Sequence, residues 1–124
     1  MPELKETLTY QDVLLVPQYS DIRSRSEVDI SNSLCENMKL GAPIIASPMD
    51  TVSEDGMANA MSDAGGMAII HRYNTVEEQS WIVSNSDGLV GAAVGMTGDY
   101  KNRTASAITA GAKVICIDVA HGHH

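Results

Sequence analysis

From Gly41 onward the sequence keeps one rhythm: a short apolar run, a stretch with helical spacing, then another apolar run. APIIASPM at 42–49 is near-continuously apolar, the pattern of a strand buried on both faces as in a parallel sheet. In SEDGMANAMSDAGG, Ser53 suits an N-cap, and Glu54 and Asp55 suit the positive end of a helix. Met57 and Met61 share a face with Ala60 and Ala64, and Gly65 stops the helix. The cycle repeats with a strand at 67–71, then a helix opened by the capping-box pair Thr75 and Glu78 and running through Trp81 and Val83. A third strand at 89–95 leads into a helix over 99–110 that Gly111 terminates, and KVICIDVA at 113–120 is a fourth strand. The order is β-α-β-α-β-α-β, with connections long enough for parallel crossovers.

The first 40 residues lack this regularity and read as an extended lead-in, with one edge strand expected near Val13–Val16. Aromatics make up only 4% of the chain and Phe is absent, so the core must be built from Ile, Val, Leu, Met and Ala. A net charge of -8 without a basic run disfavours nucleic acid or an anionic membrane as the main partner. MPELKETLTY has neither the basic nor the apolar region of a signal peptide, and no apolar run approaches the roughly 20 residues that span a bilayer. A cytoplasmic location is expected. Cys35 and Cys116 form no dense or CxxC pattern, so two reduced thiols are expected.

Two α/β architectures compete. A doubly wound sheet of this size normally places a Gly-rich phosphate loop after its first strand, and SPMDTVSEDG is neither GxGxxG nor GxxxxGK[ST]. A (β/α)8 barrel fits the small-residue strands and polar strand ends, but it needs about 250 residues, so this chain would supply half of one.

In either case chemistry gathers where strands end. The ends here are Ser47-Pro48-Met49-Asp50, His71-Arg72-Tyr73-Asn74, Gly95-Met96-Thr97 and Asp118-Val119-Ala120-His121-Gly122-His123-His124. They offer carboxylates for ribose diols, hydroxyls and a cation. Each residue also has a plainer role: Asp50 in a turn, Met49 in the core, His71 as a satisfied half-buried ring, Arg72 as a surface cation. Arg72 at a strand end favours an anion or an internal carboxylate partner. Asp118 stands out, because a carboxylate directly after ICI is costly to bury unless it is paired.

His121 and His123 alternate and His124 adjoins in a Gly-containing loop, which specifies zinc only loosely, so no metal site is expected. Neither cysteine has a neighbouring base and there is no GxSxG, so no nucleophile is assigned. Cys116 is expected to pack with its strand.

Taken in order, SRSEVDIS, PIIASPMDTVSE, GGMAIIHRYNTVEEQ and AAVG…AGAKVICIDVAHGH resemble the N-terminal half of the inosine monophosphate dehydrogenase and guanosine monophosphate reductase family, over about residues 8–124. The series is far more specific than any one motif. The resemblance implies a (β/α)8 barrel, of which 41–124 is the first half after a lead-in over 1–40, and a tetramer when complete. It implies purine-nucleotide chemistry with a nicotinamide cofactor. In the dehydrogenase a cysteine adds to C2 of IMP, hydride leaves to NAD, and water releases XMP. In the reductase GMP becomes IMP with NADPH, releasing ammonia.

By the same resemblance, Ser47 and Met49 are substrate contacts, with Met49 at the purine base. Asp118 accepts hydrogen bonds from the nicotinamide ribose and His121 lies beside the cofactor adenine. His71 and Arg72 lie on the cofactor side. SPMDTVSE and AHGH favour IMP dehydrogenase with NAD. GMP reductase with NADP is the alternative, because only IVSNSDG separates Trp81 from LVGAAVG, with no cystathionine-β-synthase domain insert. The family's nucleophilic cysteine, phosphate loops and monovalent-cation site match nothing in this sequence. The chain alone is therefore expected to lack turnover, to need the C-terminal barrel half as partner, and to self-associate. A non-catalytic half-barrel binding protein is the rival reading.

Overall fold

The computed structural model describes residues 5–123. An antiparallel hairpin of β1 (Asn32–Cys35) and β2 (Met38–Leu40) precedes a parallel sheet of β3 (Ile45–Ala46), β4 (Met67–Ile70), β5 (Val90–Val94) and β6 (Val114–Ile117). The helices α1 (Asp55–Asp63), α2 (Val76–Ser84) and α3 (Tyr100–Ala110) fill the crossovers in turn. Strand order in the sheet is β3-β4-β5-β6, the order of the chain.

The register explains how the small residues are used. Ala68 pairs with Val90, Ile70 with Ala92 and Ala92 with Ile115, so one face carries Ala68, Ile70, Val90, Ala92 and Ile115. That face packs against Ala58 of α1, Ile82 and Val83 of α2, and Ala107 of α3. All three helices therefore cover one side of the sheet. The opposite face carries Met67, Ile69, Ala93, Val114 and Cys116, and Leu40 of the hairpin closes on it. A doubly wound sheet places helices on both faces and reverses its strand order. This sheet does neither, and its arrangement is that of a barrel segment.

Core side chains such as Ile70 and Val83, at 0% and 2% exposure, each stabilise the fold by about 1.5–3 kcal/mol. Gly91 is required by close approach: a Cβ there would lie 2.5 Å from Ile69 Cδ1 and 3.0 Å from the Val114 carbonyl. Gly111 ends α3 in the left-handed conformation, at φ 115°, as expected of a C-cap glycine. The Thr75–Glu78 capping box is present in both directions at the start of α2.

Several expectations are corrected. The first parallel strand covers only Ile45–Ala46 of the 42–49 run, and Ile45 is 40% exposed. Pro43 and Pro48 have no N–H to give to a ladder, and β3 lies at the sheet edge. Ser53 does not cap α1: Glu54 occupies the N-cap, and the Ser53 hydroxyl donates instead to the Ser47 carbonyl. No strand forms at 13–16, where Leu14 and Leu15 are 95% and 97% exposed. The strands of the lead-in are instead β1 and β2, whose register shifts between Ser33 and Cys35. β6 ends at Ile117, so Asp118 lies in the loop.

Candidate active site

The C-terminal ends of β4, β5 and β6 bring together an arginine, a glycine and an aspartate. Arg72 follows β4 by two residues, and its Nε donates to Asp118 Oδ2 at 3.3 Å. Asp118 is itself fixed by its backbone N–H, which donates to the Val94 carbonyl at 2.8 Å. Between the two strands lies Gly95, where a Cβ would sit 3.4 Å from Arg72 Nη1, so the guanidinium crosses the end of β5 over a residue without a side chain. Tyr73 adds its ring, 5.7 Å from the guanidinium carbon. Both members of the pair are about one-third exposed, so the pair orients the carboxylate more than it stabilises the fold. Among the described residues Oδ1 of Asp118 makes no hydrogen bond and remains an acceptor for a ligand hydroxyl.

His71, directly before Arg72, is 2% exposed. Its Nδ1 accepts the Tyr73 N–H at 3.2 Å, which leaves the ring proton on Nε2, 3.3 Å from Glu54 Oε1 and 3.9 Å from Asp50 Oδ1. The ring thus faces the β3–α1 loop. That loop is folded around the Met49 carbonyl, which accepts the N–H groups of Val52 and Ser53 at 3.2 and 2.9 Å. Met49 itself is 55% exposed and Ser47 is exposed.

His121 stands apart from these groups. It is exposed beyond β6, and its Nδ1 accepts the His123 N–H at 3.1 Å; among the described residues it makes no hydrogen bond to Asp118 or Arg72. His124 lies outside the described residues. No set of three or more metal-ligating side chains converges among the described residues. Cys116 packs on the face opposite the helices, where burial first and Asp118 second push its thiol pKa up.

Two residues that hold the strand ends were missed from sequence. Gln79, 1% exposed, donates its amide to the carbonyls of Ile70, His71 and Ala93 at 3.3, 2.9 and 2.9 Å. Arg103, 5% exposed, binds Asp99 Oδ2, the Asn74 carbonyl and Gln79 Oε1. The signal was available: Gln79 is spaced with Val76 and Val83, and Arg103 with Ala107 and Ala110, so each is a polar residue on an apolar helix stripe. The Arg103 hydrogen bond also holds the Asp99 carboxyl below its ordinary value.

A surface cavity of about 510 Å³ lies on the outer helical layer between α2 and α3, away from these groups. Another cavity, of about 310 Å³, is lined by Asp50, Glu54, His71 and Tyr73 beside the strand ends.

A sequential parallel sheet with helices on one side and a charged pair at its C-terminal strand ends defines a barrel-like α/β arrangement. The chain belongs to the IMP dehydrogenase / GMP reductase domain family, whose model matches residues 7–124. It is 53% identical over 78 residues to an inosine-5'-monophosphate dehydrogenase of Nitrosopumilus maritimus, covering 63% of this chain and 16% of that protein. It is 51% identical over 83 residues to a GMP reductase of Leishmania donovani, covering 67% of this chain and 17% of that protein. A Staphylococcus aureus inosine-5'-monophosphate dehydrogenase is 49% identical over 76 residues, 61% of this chain and 15% of its own length. The matched stretch is thus about a sixth of each relative. No described helix is long and apolar enough to cross a membrane.

Proposed function

We propose that this chain forms the first four strands of a (β/α)8 barrel that oxidises IMP to XMP with NAD and water, yielding NADH and a proton. The observation that carries the reading is the Arg72–Asp118 pair over Gly95: it orients a carboxylate at the strand ends with one oxygen left to accept hydrogen bonds. A ribose diol donates to such an acceptor, and a carboxylate so placed fits the ribose of a nicotinamide dinucleotide. When bound, the nicotinamide accepts the hydride. Asp118 would hold its ribose, Arg72 would keep Asp118 aligned, and the exposed His121 would lie toward the adenine. Ser47 and Met49, exposed on the neighbouring loop, would face the purine nucleotide.

Neither thiol is proposed as the nucleophile. Cys35 is exposed on the hairpin, and Cys116 is packed into the sheet with its pKa raised. The isolated residues 1–124 would accordingly show no turnover, and the monovalent cation, the rest of the barrel and a homotetramer belong to the complete enzyme. GMP reduction with NADPH is the second reading. It is favoured by the short α2–β5 connection, residues 85–89, and by the similarity to the Leishmania protein. The test is to assay the product of the complete reading frame with IMP plus NAD against GMP plus NADPH. NADH formation that requires IMP supports the first reading, and NADPH consumption that requires GMP supports the second. Activity with neither pair rejects both, and IMP-dependent NADH formation by purified residues 1–124 alone rejects the claim that they lack turnover.

A further inference from the structure

We propose that His71 is a positioning residue: it ties the β3–α1 loop, which carries Ser47 and Met49, to the end of β4, which carries Arg72. The inference rests on assigning those two elements to the purine and dinucleotide sides, and it adds the device that keeps them in register.

The loop from Ser47 to Glu54 is closed on itself. The Met49 carbonyl accepts two N–H groups, the Ser53 hydroxyl holds the Ser47 carbonyl, and Thr51 sits at φ 59°, a sparsely populated conformation for a β-branched residue. Such a loop moves as a unit, so its position depends on what it is tied to. Beyond the two-residue pairing of β3 with β4, its side-chain bridges to β4 among the described residues run through His71, to Glu54 and, at longer range, to Asp50. Glu54 is free to serve because, although it occupies the N-cap of α1, its side chain makes no capping bond. On the other side, the Tyr73 N–H bond to Nδ1 locks the ring to the turn that carries Arg72. A buried ring with both nitrogens engaged has one orientation, and a shift of either element is passed to the other.

The test uses the product of the complete reading frame and separates chemistry from registration. Gln at 71 reaches Glu54 with an amide N–H, whereas Asn is too short. His71→Asn is expected to raise KM for the purine nucleotide and the dinucleotide together, each by about tenfold, with kcat within about threefold. His71→Gln is expected to restore both KM values to within about threefold of wild type. Glu54→Ala alters a half-exposed partner, keeps the test open if the His71 variants do not fold, and is expected to match His71→Asn. The double variant should be no worse than either single one.

Unchanged KM values in Glu54→Ala would overturn the proposal. So would a shift confined to the dinucleotide KM in His71→Asn, which would make His71 a direct cofactor contact. Failure of the underlying reading shows separately: the wild type would be inactive with both substrate pairs, or Asp118→Asn would keep the wild-type dinucleotide KM.

Discussion

Arg103 Nη1 lies 3.4 Å from Gln79 Oε1 inside the layer between the helices and the strand ends, joining α3 to α2 where both side chains are almost wholly buried. Gln79 in turn bonds carbonyls at the ends of β4 and β5, so its amide acts as a clamp just where the turns bearing Arg72 and Gly95 begin. Gln79→Leu keeps the volume but leaves those carbonyls and the Arg103 guanidinium short of partners. The expected loss is about 2–3 kcal/mol, read as a fall in Tm of roughly 10 °C by circular dichroism. A change below about 2 °C would show that the clamp is energetically idle.

Gly95 sets how Arg72 reaches Asp118. A Cβ there stands at ordinary contact distance from the guanidinium, 3.4 Å, so Gly95→Ala is expected to be tolerated, whereas the added methyls of Gly95→Val push Arg72 off its partner. In the complete enzyme Gly95→Val should raise the dinucleotide KM by about tenfold and the purine KM by less than about threefold. Equal rises in both would assign Gly95 to general packing.

The capping box makes part of the stability pH-dependent. The Thr75 backbone N–H, and then its hydroxyl, hold the Glu78 pKa below the ordinary 4.5. A depressed carboxylate stabilises the fold above its unfolded value, and the contribution is lost as pH falls from 4.5 through the lower folded value. Glu78→Gln should therefore shallow the decline of Tm below pH 4.5 and leave the slope between pH 6 and 8 unchanged. An unaltered acid limb would contradict this.

The thiols should react in a fixed order. Cys35 is exposed, while Cys116 is partly buried with its pKa raised by burial and by Asp118. Under limiting iodoacetamide at pH 8, mass spectrometry should find Cys35 alkylated at least about tenfold faster. Comparable rates would mean that β6 opens readily.

Residues 1–124 on their own should self-associate. Leu14, Leu15 and Ile117 are 95%, 97% and 59% exposed, and β3 and β6 are both sheet edges. Sedimentation velocity should show a coefficient that rises with concentration. A compact monomer that unfolds cooperatively at all concentrations would refute the expectation.

Much of this architecture is local chemistry. The Thr75–Glu78 box, the glycine after α3 and the alternation of apolar runs with amphipathic stretches involve neighbours a few residues apart, so they were readable in the chain. A carboxylate directly after an apolar strand is costly to bury unless paired, which marked Asp118 as needing a partner before that partner was known. The partner was not legible. Arg72 is 46 residues away, and the two meet only because β4 and β6 flank β5 in the sheet and Gly95 leaves room between them. The Ser53 cap failed because the Ser47 carbonyl, six residues back, takes its hydroxyl, and the long first strand failed because β3 is a two-residue edge strand between Pro43 and Pro48. Periodicity could say which faces of the strands and helices are apolar. That all three helices lie on one side of a sequentially ordered sheet, and that Gln79 and Arg103 meet beneath its edge, were decided by tertiary packing, which sets distances between residues that the chain does not place near one another.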